Sequence, residues 1–335
     1  MTSHEERDGL KGLTTGVLDE ESRMSKTLYW LQCSACGGDS MSLLDIESPD
    51  VVELLQALDI EVLWHPSLSG GSAAQHSELL RAIAAGEQPL TFLCIEGAVI
   101  RGPSGTGMYD TFRGRPKKDL LSALARKASY VVACGTCASF GGIGADGDIE
   151  ATGVQFLRGS PGGFLGTAFR SGAGLPAINL PGCPVHGDVL ASTLTAVCLD
   201  RPLELNEHNS PMDWYGMLVH QGCVRNEYHE YRVEERDFGE RGCLFFHRGC
   251  RGPLAHGACN KVLWNRRSSK TRVGVPCVGC TEPDFPQSHP FFSTPSIVDV
   301  PVELPTGVDR AHYLAYKSMA AAAAPERLKQ RLTRV

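Results

Sequence analysis

Residues 128–140, with the sequence ASYVVACGTCASF, combine an apolar run with a turn that carries a cysteine on each side. The apolar run predicts a β-strand, and the cysteines lie at its end and just beyond it. Four similar runs lie before and after this stretch. The candidate strands are Thr27–Gln32, Ile60–Trp64, Leu90–Ile95, Tyr130–Cys134 and Ala177–Leu180.

Amphipathic segments separate the candidate strands, as at Asp50–Leu58, Ser77–Ala85 and Lys118–Lys127. Alternation of strand and helix predicts an α/β domain whose parallel sheet is covered on both faces. Ligands of open α/β sheets bind at the carboxyl ends of the strands. We therefore expect the cysteines that follow the first, fourth and fifth strands to meet at one sheet edge. These are Cys33, Cys36, Cys134, Cys137 and Cys183.

The alternation of strands and helices ends near residue 205, which predicts a second region of different character. Residues 206–303 are loop-rich, with many glycines, prolines, arginines and histidines. Bound metal can order such a region, because the free energy of metal binding contributes to folding. The predicted division is an N-terminal extension at 1–26, a sheet domain at 27–205, a metal-cluster domain at 206–303 and a C-terminal tail helix at 304–335.

The composition narrows the class of protein. The chain has 335 residues, 13 cysteines and a formal net charge of −6. A general nucleic-acid-binding protein would carry a basic excess, and disulfide scaffolds are usually short and secreted. The polar segment up to Arg23 has no apolar signal core, and no run approaches the roughly 18 apolar residues of a membrane span. We therefore expect a cytoplasmic protein, in solution or peripheral to a membrane, whose reduced thiols bind metal.

Two sets of candidate metal ligands lie in the second region. The first set is His220, Cys223, Cys243 and Cys250, which suffices for a zinc ion or an iron–sulfur cubane. The second set is Cys259, Cys277 and Cys280. No cysteine between residues 260 and 276 completes this second set, so it predicts a three-iron cluster or a four-iron cluster with a non-cysteine ligand. Structural zinc is the alternative.

A third set lies in the sheet domain and consists of Cys33-Ser-Ala-Cys36-Gly-Gly-Asp39, Cys134-Gly-Thr-Cys137 and Pro-Gly-Cys183-Pro. Glycines beside the thiols let backbone amides approach sulfur, and amide hydrogen bonds tune the potential of a cluster. One Cys-x-x-Cys pair would suit a thioredoxin-like dithiol. Two pairs and a Gly-Cys-Pro turn in one domain argue against a single dithiol.

A longer series of motifs runs in order from about Leu28 to Pro286. It comprises Cys36…Asp39-Ser-Met-Ser, Glu96-Gly, Val-Val-Ala-Cys-Gly-Thr-Cys137-Ala-Ser-Phe-Gly-Gly, Pro-Gly-Cys183-Pro, His220-x-x-Cys223, Gly-Cys250-Arg-Gly-Pro, Cys259-Asn-Lys-Val-Leu-Trp-Asn and Pro-Cys277-Val-Gly-Cys280. This series resembles the small, electron-transferring subunit of nickel–iron hydrogenases. The resemblance implies a flavodoxin-like domain with a proximal [4Fe–4S] cluster, followed by a loop-rich, mainly helical domain with a medial and a distal cluster.

The resemblance assigns ligands to each cluster. A distal [4Fe–4S] cluster falls on His220, Cys223, Cys243 and Cys250, and a medial [3Fe–4S] cluster on Cys259, Cys277 and Cys280. The interval from Cys243 to Cys250 is one residue longer than the family pattern. For the proximal cluster, one register keeps Cys33 and Cys36, whereas the other aligns Cys36 and Asp39. The second is preferred because it also aligns Ser40 and Ser42, and the implied ligands are then Cys36, Asp39, Cys137 and Cys183.

Three further residues are candidates for a place near the proximal cluster. Cys33 is the competitor of Asp39, and for Cys134 packing in the core is favoured over a role at the cluster. Glu96 has two alternative roles: an acid near the subunit interface that takes part in proton movement, or a carboxylate that accepts hydrogen bonds from loop amides. In having an aspartate at position 39, this sequence resembles the actinobacterial-type subgroup of the family. The resemblance associates that subgroup with oxygen-tolerant hydrogen oxidation.

The resemblance implies no catalytic residue in this chain, because the nickel–iron centre of the family lies in a separate large subunit. The expected function is electron relay from H2 oxidation to an unidentified acceptor, in a heterodimer with that subunit or a dimer of heterodimers. Binding of nucleic acid is not expected. The alternatives are a hydrogen-sensing regulatory subunit, a quinone-reductase subunit of respiratory complexes, and a zinc-stabilised binding module. Cys223 to Cys280 argue against the quinone reductase, which lacks the medial and distal sets.

Overall fold

A five-stranded parallel sheet lies at the centre of the first region. The computed structural model describes residues 25–145, 147–287 and 293–330, so most of the predicted N-terminal extension and the last five residues of the tail lie outside the described residues. The strands are β1 (Lys26–Gln32), β2 (Ile60–Trp64), β3 (Leu90–Glu96), β4 (Ala128–Cys134) and β5 (Ile178–Leu180). Their order is β5-β4-β3-β1-β2, which is the flavodoxin-like order. The α/β fold and all five predicted strands are confirmed.

Helices cover both faces of the sheet, as the buried strands require. They are α1 (Gly38–Leu44), α2 (Val51–Ala57), α3 (Ala73–Ala85), α4 (Lys117–Ala125), α5 (Gly135–Phe140) and α6 (Gly187–Cys198). Leu43 of α1 packs with Trp30 on one face, whereas Ile83 of α3 packs with Tyr29 on the other. The helix predicted at 77–85 begins four residues earlier, because Ser72 and Gln75 form a capping box.

Short elements connect the main ones. Two-residue strands pair as Val99–Ile100 with Ala151–Thr152, Thr111–Phe112 with Arg115–Pro116, Phe156–Leu157 with Ser160–Pro161, and Ser296–Ile297 with Val300–Pro301. Turns of 3₁₀-helix lie at Gly142–Gly144 and Val219–Gly222. The second region is loop-rich, as predicted, and its helices are short: α7 (Met212–Tyr215), α8 (Asn226–Glu230) and α9 (Phe245–Arg248).

The C-terminal tail forms two helices, α10 (Arg310–Ala323) and α11 (Glu326–Lys329), rather than the single predicted helix. Pro325 between them cannot continue an α-helix. The buried carboxylate of Glu234 holds α10 in place, because it accepts hydrogen bonds from the Tyr313 hydroxyl (2.8 Å) and Lys317 Nζ (3.0 Å). Within the described ranges, every helix is too short or too polar to cross a bilayer.

Candidate metal centres

The carboxyl ends of β1, β4 and β5 bring three cysteine-bearing turns to one edge of the sheet. Cys36 lies just before α1, Cys137 lies in α5, and Cys183 follows β5. The Thr136 amide donates to the Gly182 carbonyl at 2.8 Å, which joins two of these turns directly. Desolvation raises the pKa of the Cys183 thiol to about 11, and the neighbouring Cys280 and Cys137 contribute to the same shift. The strand order therefore brings these turns together as expected.

Asp39 is the carboxylate of this edge, and it lies in the first turn of α1 with 8% of its surface exposed. Its Oδ1 accepts a hydrogen bond from the Val185 amide at 2.7 Å. Burial raises the pKa of the Asp39 carboxyl to about 7, although the Val185 bond opposes the shift. A Cβ at Gly135 would lie only 2.3 Å from Oδ2, and the backbone there has φ +81°. Glycine at position 135 therefore leaves the space that the Asp39 carboxylate needs.

The side chain of Cys33, the alternative to Asp39 as a proximal ligand, points away from this edge of the sheet. Its side chain is 4% exposed and packs with Tyr29 and Leu31, in the hydrophobic cluster on the sheet face opposite to α1. Burial raises the pKa of the Cys33 thiol to about 12. Cys134 is fully buried in the other hydrophobic cluster, together with Cys94. Both thiols are core side chains, whereas Cys36 is exposed.

Glu96, at the end of β3, is completely buried and anchors the first turn of α1. Its Oε1 accepts from the amides of Asp39 (3.0 Å) and Ser40 (3.2 Å). Its Oε2 accepts from the Ser40 hydroxyl (2.6 Å) and the Trp30 indole (3.0 Å). Glu96 therefore fixes the backbone that carries Asp39.

The medial ligand set lines a cavity of about 420 Å³ that also reaches the proximal set. Cys259, Cys277 and Cys280 share this cavity with Cys183. Burial raises the pKa of Cys259 to about 11, with Cys280 adding to the shift and the cation of Lys270 opposing it. The Lys270 Nζ lies 3.8 Å from Cys280 Sγ. A positive charge thus stands beside the medial candidates.

The distal ligand set, His220, Cys223, Cys243 and Cys250, lines a neighbouring cavity. Backbone amides donate to sulfurs of this set, among them Arg225 to Cys223 Sγ at 3.4 Å, and Cys277 to Cys250 Sγ at 3.3 Å. The second of these bonds joins this site to the preceding one, because Cys277 is itself a candidate ligand. The extra residue between Cys243 and Cys250 does not separate their side chains, which line the same cavity.

Sequence patterns did not identify His229, which lies against the distal ligand set. Its Nδ1 lies 3.5 Å from Cys243 Sγ, and its ring centroid is 4.7 Å from that of His220. Burial, with the neighbouring His220 and Arg232, lowers the pKa of His229 to about 4. The spacing from Cys223 to His229 matches no metal-ligand motif, so no signal in the sequence marked this contact.

The donor chemistry and the available space fit iron–sulfur clusters. Among the residues described, no three side chains of His, Cys, Asp or Glu converge closely enough to hold a single ion. The cavity of about 420 Å³ at Cys259, Cys277 and Cys280 has room for a cluster. Soft thiolates, which predominate in all three sets, are the usual ligands of iron–sulfur clusters. At the proximal set a glycine keeps space beside a thiol, because a Cβ at Gly142 would lie 2.4 Å from Cys137 Sγ.

Two family descriptions match the two regions. Residues 36–197 match "NADH ubiquinone oxidoreductase, 20 Kd subunit", and residues 215–293 match the C-terminal part of the NiFe/NiFeSe hydrogenase small subunit. The chain is 33% identical over 291 residues to the F420 non-reducing hydrogenase II small subunit of Methanosarcina mazei, covering 79% of this chain and 75% of that protein. This chain belongs to the family of nickel–iron hydrogenase small subunits.

Similarity to further proteins supports the same assignment of this hydrogenase small subunit. It is 32% identical over 285 residues to the periplasmic [NiFe] hydrogenase small subunit 1 of Nitratidesulfovibrio vulgaris, covering 82% of this chain and 83% of that protein. The structure described as an actinobacterial-type NiFe-hydrogenase from Ralstonia eutropha H16 superposes with a TM-score of 0.74 at 25% identity, over 98% of this chain and 95% of that one. The match of residues 215–293 to the hydrogenase family excludes the alternative of a quinone-reductase subunit. Membership of the hydrogenase family excludes the alternative of a zinc-stabilised binding module.

Membership in this family establishes the general function of this chain. Hydrogenase small subunits relay electrons through iron–sulfur clusters and pair with a large subunit, and this chain is such a subunit. It is thus part of a hydrogenase, an oxidoreductase that acts on H2.

Proposed function

We propose that this protein transfers electrons from H2 oxidation through three iron–sulfur clusters to an acceptor not yet identified. The clusters, when bound, accept and release single electrons. The proposed proximal [4Fe–4S] ligands are Cys36, Asp39, Cys137 and Cys183, the medial [3Fe–4S] ligands are Cys259, Cys277 and Cys280, and the distal [4Fe–4S] ligands are His220, Cys223, Cys243 and Cys250. The continuity of the three donor sets carries this proposal: Cys183 shares a cavity with the medial thiols, and the Cys277 amide donates to Cys250.

Two observations support the proposed cluster types. Asp39 is buried at the edge that holds Cys137 and Cys183, whereas Cys33 packs on the opposite face of the sheet. The hydroxyls of Ser269 and Thr271 both donate to Asn260 Oδ1, at 2.5 and 2.8 Å. The other two serine or threonine hydroxyls of this cavity are engaged as well, Ser268 with the Ser269 carbonyl and Thr281 with the His256 carbonyl. This favours a three-iron cluster over a four-iron cluster with a serine or threonine ligand.

The proposed contact with the large subunit is the apolar face beside the proximal site. Ile143 is 77% exposed there, next to Gly142, and Tyr109 and Ile149 are also exposed. A patch of this kind on a soluble protein usually marks an interaction surface. We propose heterodimer formation through it.

Oxygen tolerance is part of the proposal, supported by Asp39 and by the likeness to the actinobacterial-type enzyme. The cytoplasmic location stays a prediction, because the relatives include periplasmic enzymes. The dimer of heterodimers also stays a prediction. The division of the chain at residues 26, 205 and 303 is likewise proposed. A break in the alternation of strands and helices after α6 supports the boundary at 205.

Anaerobic co-expression with the large subunit tests the proposed function. We expect H2-dependent dye reduction, nickel in the complex, and about 11 iron atoms in the small subunit with matching acid-labile sulfide. Cys280→Ser should lose iron and activity, whereas Cys198→Ser, a matched change at a buried core thiol, should keep both. A complex that binds H2 but turns over slowly and associates with a kinase would show the sensor instead. Zinc without sulfide would contradict the cluster assignments.

Lys270 is expected to raise the potential of the medial cluster. Its ammonium lies 3.8 Å from Cys280 Sγ and favours the more negative, reduced form. Lys270→Met should therefore shift the medial midpoint to more negative values by roughly tens of millivolts, since solvent screens an exposed lysine in part. Redox titration followed by EPR measures the shift. Lys261→Met, at another exposed lysine of the same region, is the control, and an equal shift in both variants would refute a specific effect.

A further inference from the structure

Thr136 lies where the turns of the proximal site meet the loop of the medial site. It is 2% exposed and directly precedes Cys137 in α5. Its amide donates to the Gly182 carbonyl at 2.8 Å, and its hydroxyl accepts from the Gly182 amide at 2.9 Å. The same hydroxyl donates to the carbonyl oxygen of Cys280. The side chain of a residue adjacent to Cys137 thus contacts the neighbour of Cys183 and the backbone of Cys280.

We propose that Thr136 is a positioning residue that sets the separation between the proximal and medial sites. This inference rests on the ligands proposed above. A hydroxyl has one proton and two lone pairs, so it can accept from Gly182 and donate to Cys280 at once, which an apolar side chain of the same shape cannot. Gly182 adjoins Cys183, and the cavity that holds the medial thiols reaches Cys183 as well. The hydroxyl therefore ties the two sites together where they share that cavity.

Other contacts keep the two regions together when this hydroxyl is removed. Arg158 Nη1 donates to the Phe285 carbonyl at 2.8 Å, and Arg267 pairs with Glu47 at 2.9 Å on the surface. Loss of the Thr136 hydroxyl should therefore loosen the local spacing without separating the regions. Electron transfer and magnetic coupling both fall steeply with distance, so both should respond to a small change in spacing.

Thr136→Val and Thr136→Ser, made in the anaerobically purified heterodimer, test this role. Valine keeps the shape but removes the hydroxyl, whereas serine keeps the hydroxyl. In the reduced complex, the splitting of the proximal EPR signal by the medial cluster should decrease in Thr136→Val, and electron transfer between the two should slow several-fold. Thr136→Ser should stay within about twofold of the unchanged complex. Thr193→Val, which removes another buried hydroxyl inside α6, should alter neither quantity.

Each outcome has one meaning. Normal splitting and rate in Thr136→Val would overturn the proposal, as would equal changes in the valine and serine variants, which would show a packing role. Loss of iron from Thr136→Val, with full iron and normal splitting in Thr136→Ser, would support the need for the hydroxyl. Failure of the ligand assignment can be told apart from failure of the Thr136 proposal. If the assignment is wrong, the complex without any substitution would lack the proximal or medial EPR signal.

Discussion

Replacing Asp39 by alanine is expected to remove one of the proposed proximal ligands and to reduce H2-dependent dye reduction by about tenfold or more. The physical reason is local. The carboxylate is buried and accepts a hydrogen bond from the Val185 amide at 2.7 Å. It packs against the backbone at position 135, where only glycine leaves room for it. Cys33 cannot take its place as a ligand, because its side chain lies on the opposite face of the sheet. The proximal iron that we propose Asp39 binds should therefore become labile.

EPR, redox titration and iron analysis of three variants check this expectation. Asp39→Ala should lose proximal iron, and Asp39→Cys should keep the cluster with an altered EPR signal and potential, because a thiolate is a softer ligand than a carboxylate. Cys33→Ser is the matched control and should leave the EPR signal and the potential unchanged. An unaltered proximal cluster in Asp39→Cys would refute the ligation by Asp39. Loss of the cluster in Cys33→Ser would favour the alternative register.

The sheet and its cysteine-bearing turns were predictable because the decisive signals are local. An apolar run such as residues 128–134 is largely buried and needs no distant partner to be recognised. Its parallel neighbours then fix which turns share an edge. The start of α3 was missed although its signal, a Ser72–Gln75 capping box, is also local. Likewise, Pro325 in the sequence marks the break in the tail helix.

The contacts between distant residues were not predictable in the same way. Glu96 binds Trp30 and Ser40 across 66 and 56 positions, and Thr136 reaches Cys280 across 144. Such partners depend on the packing of turns that have no regular period in sequence. The motif around Glu96 left two roles open for this reason. The geometry supplies several hydrogen-bond donors to its carboxylate, which motif spacing does not encode.

Removal of the Glu96 carboxylate is expected to destabilise the sheet domain strongly. In Glu96→Ala, the amides of Asp39 and Ser40 and the indole of Trp30 would lose their acceptor in a fully buried site. Unsatisfied buried donors of this kind should lower the free energy of unfolding by at least about 3 kcal/mol. The turn that carries Asp39 would lose its anchor at the same time, so proximal iron should be lost at a lower temperature than in the unchanged complex.

Glu96→Gln separates this anchoring role from a role in proton movement. The glutamine oxygen can still accept from the Asp39 and Ser40 amides, but its NH2 group would face the Trp30 N–H, so stability should fall by less than in the alanine variant. Thermal unfolding of the heterodimer and iron release measure both effects. Glu61→Gln, at an exposed carboxylate on β2, should change neither. If Glu96 moved protons instead, Glu96→Gln would suppress hydrogen oxidation while leaving thermal stability and iron content intact, and that result would contradict the anchoring role.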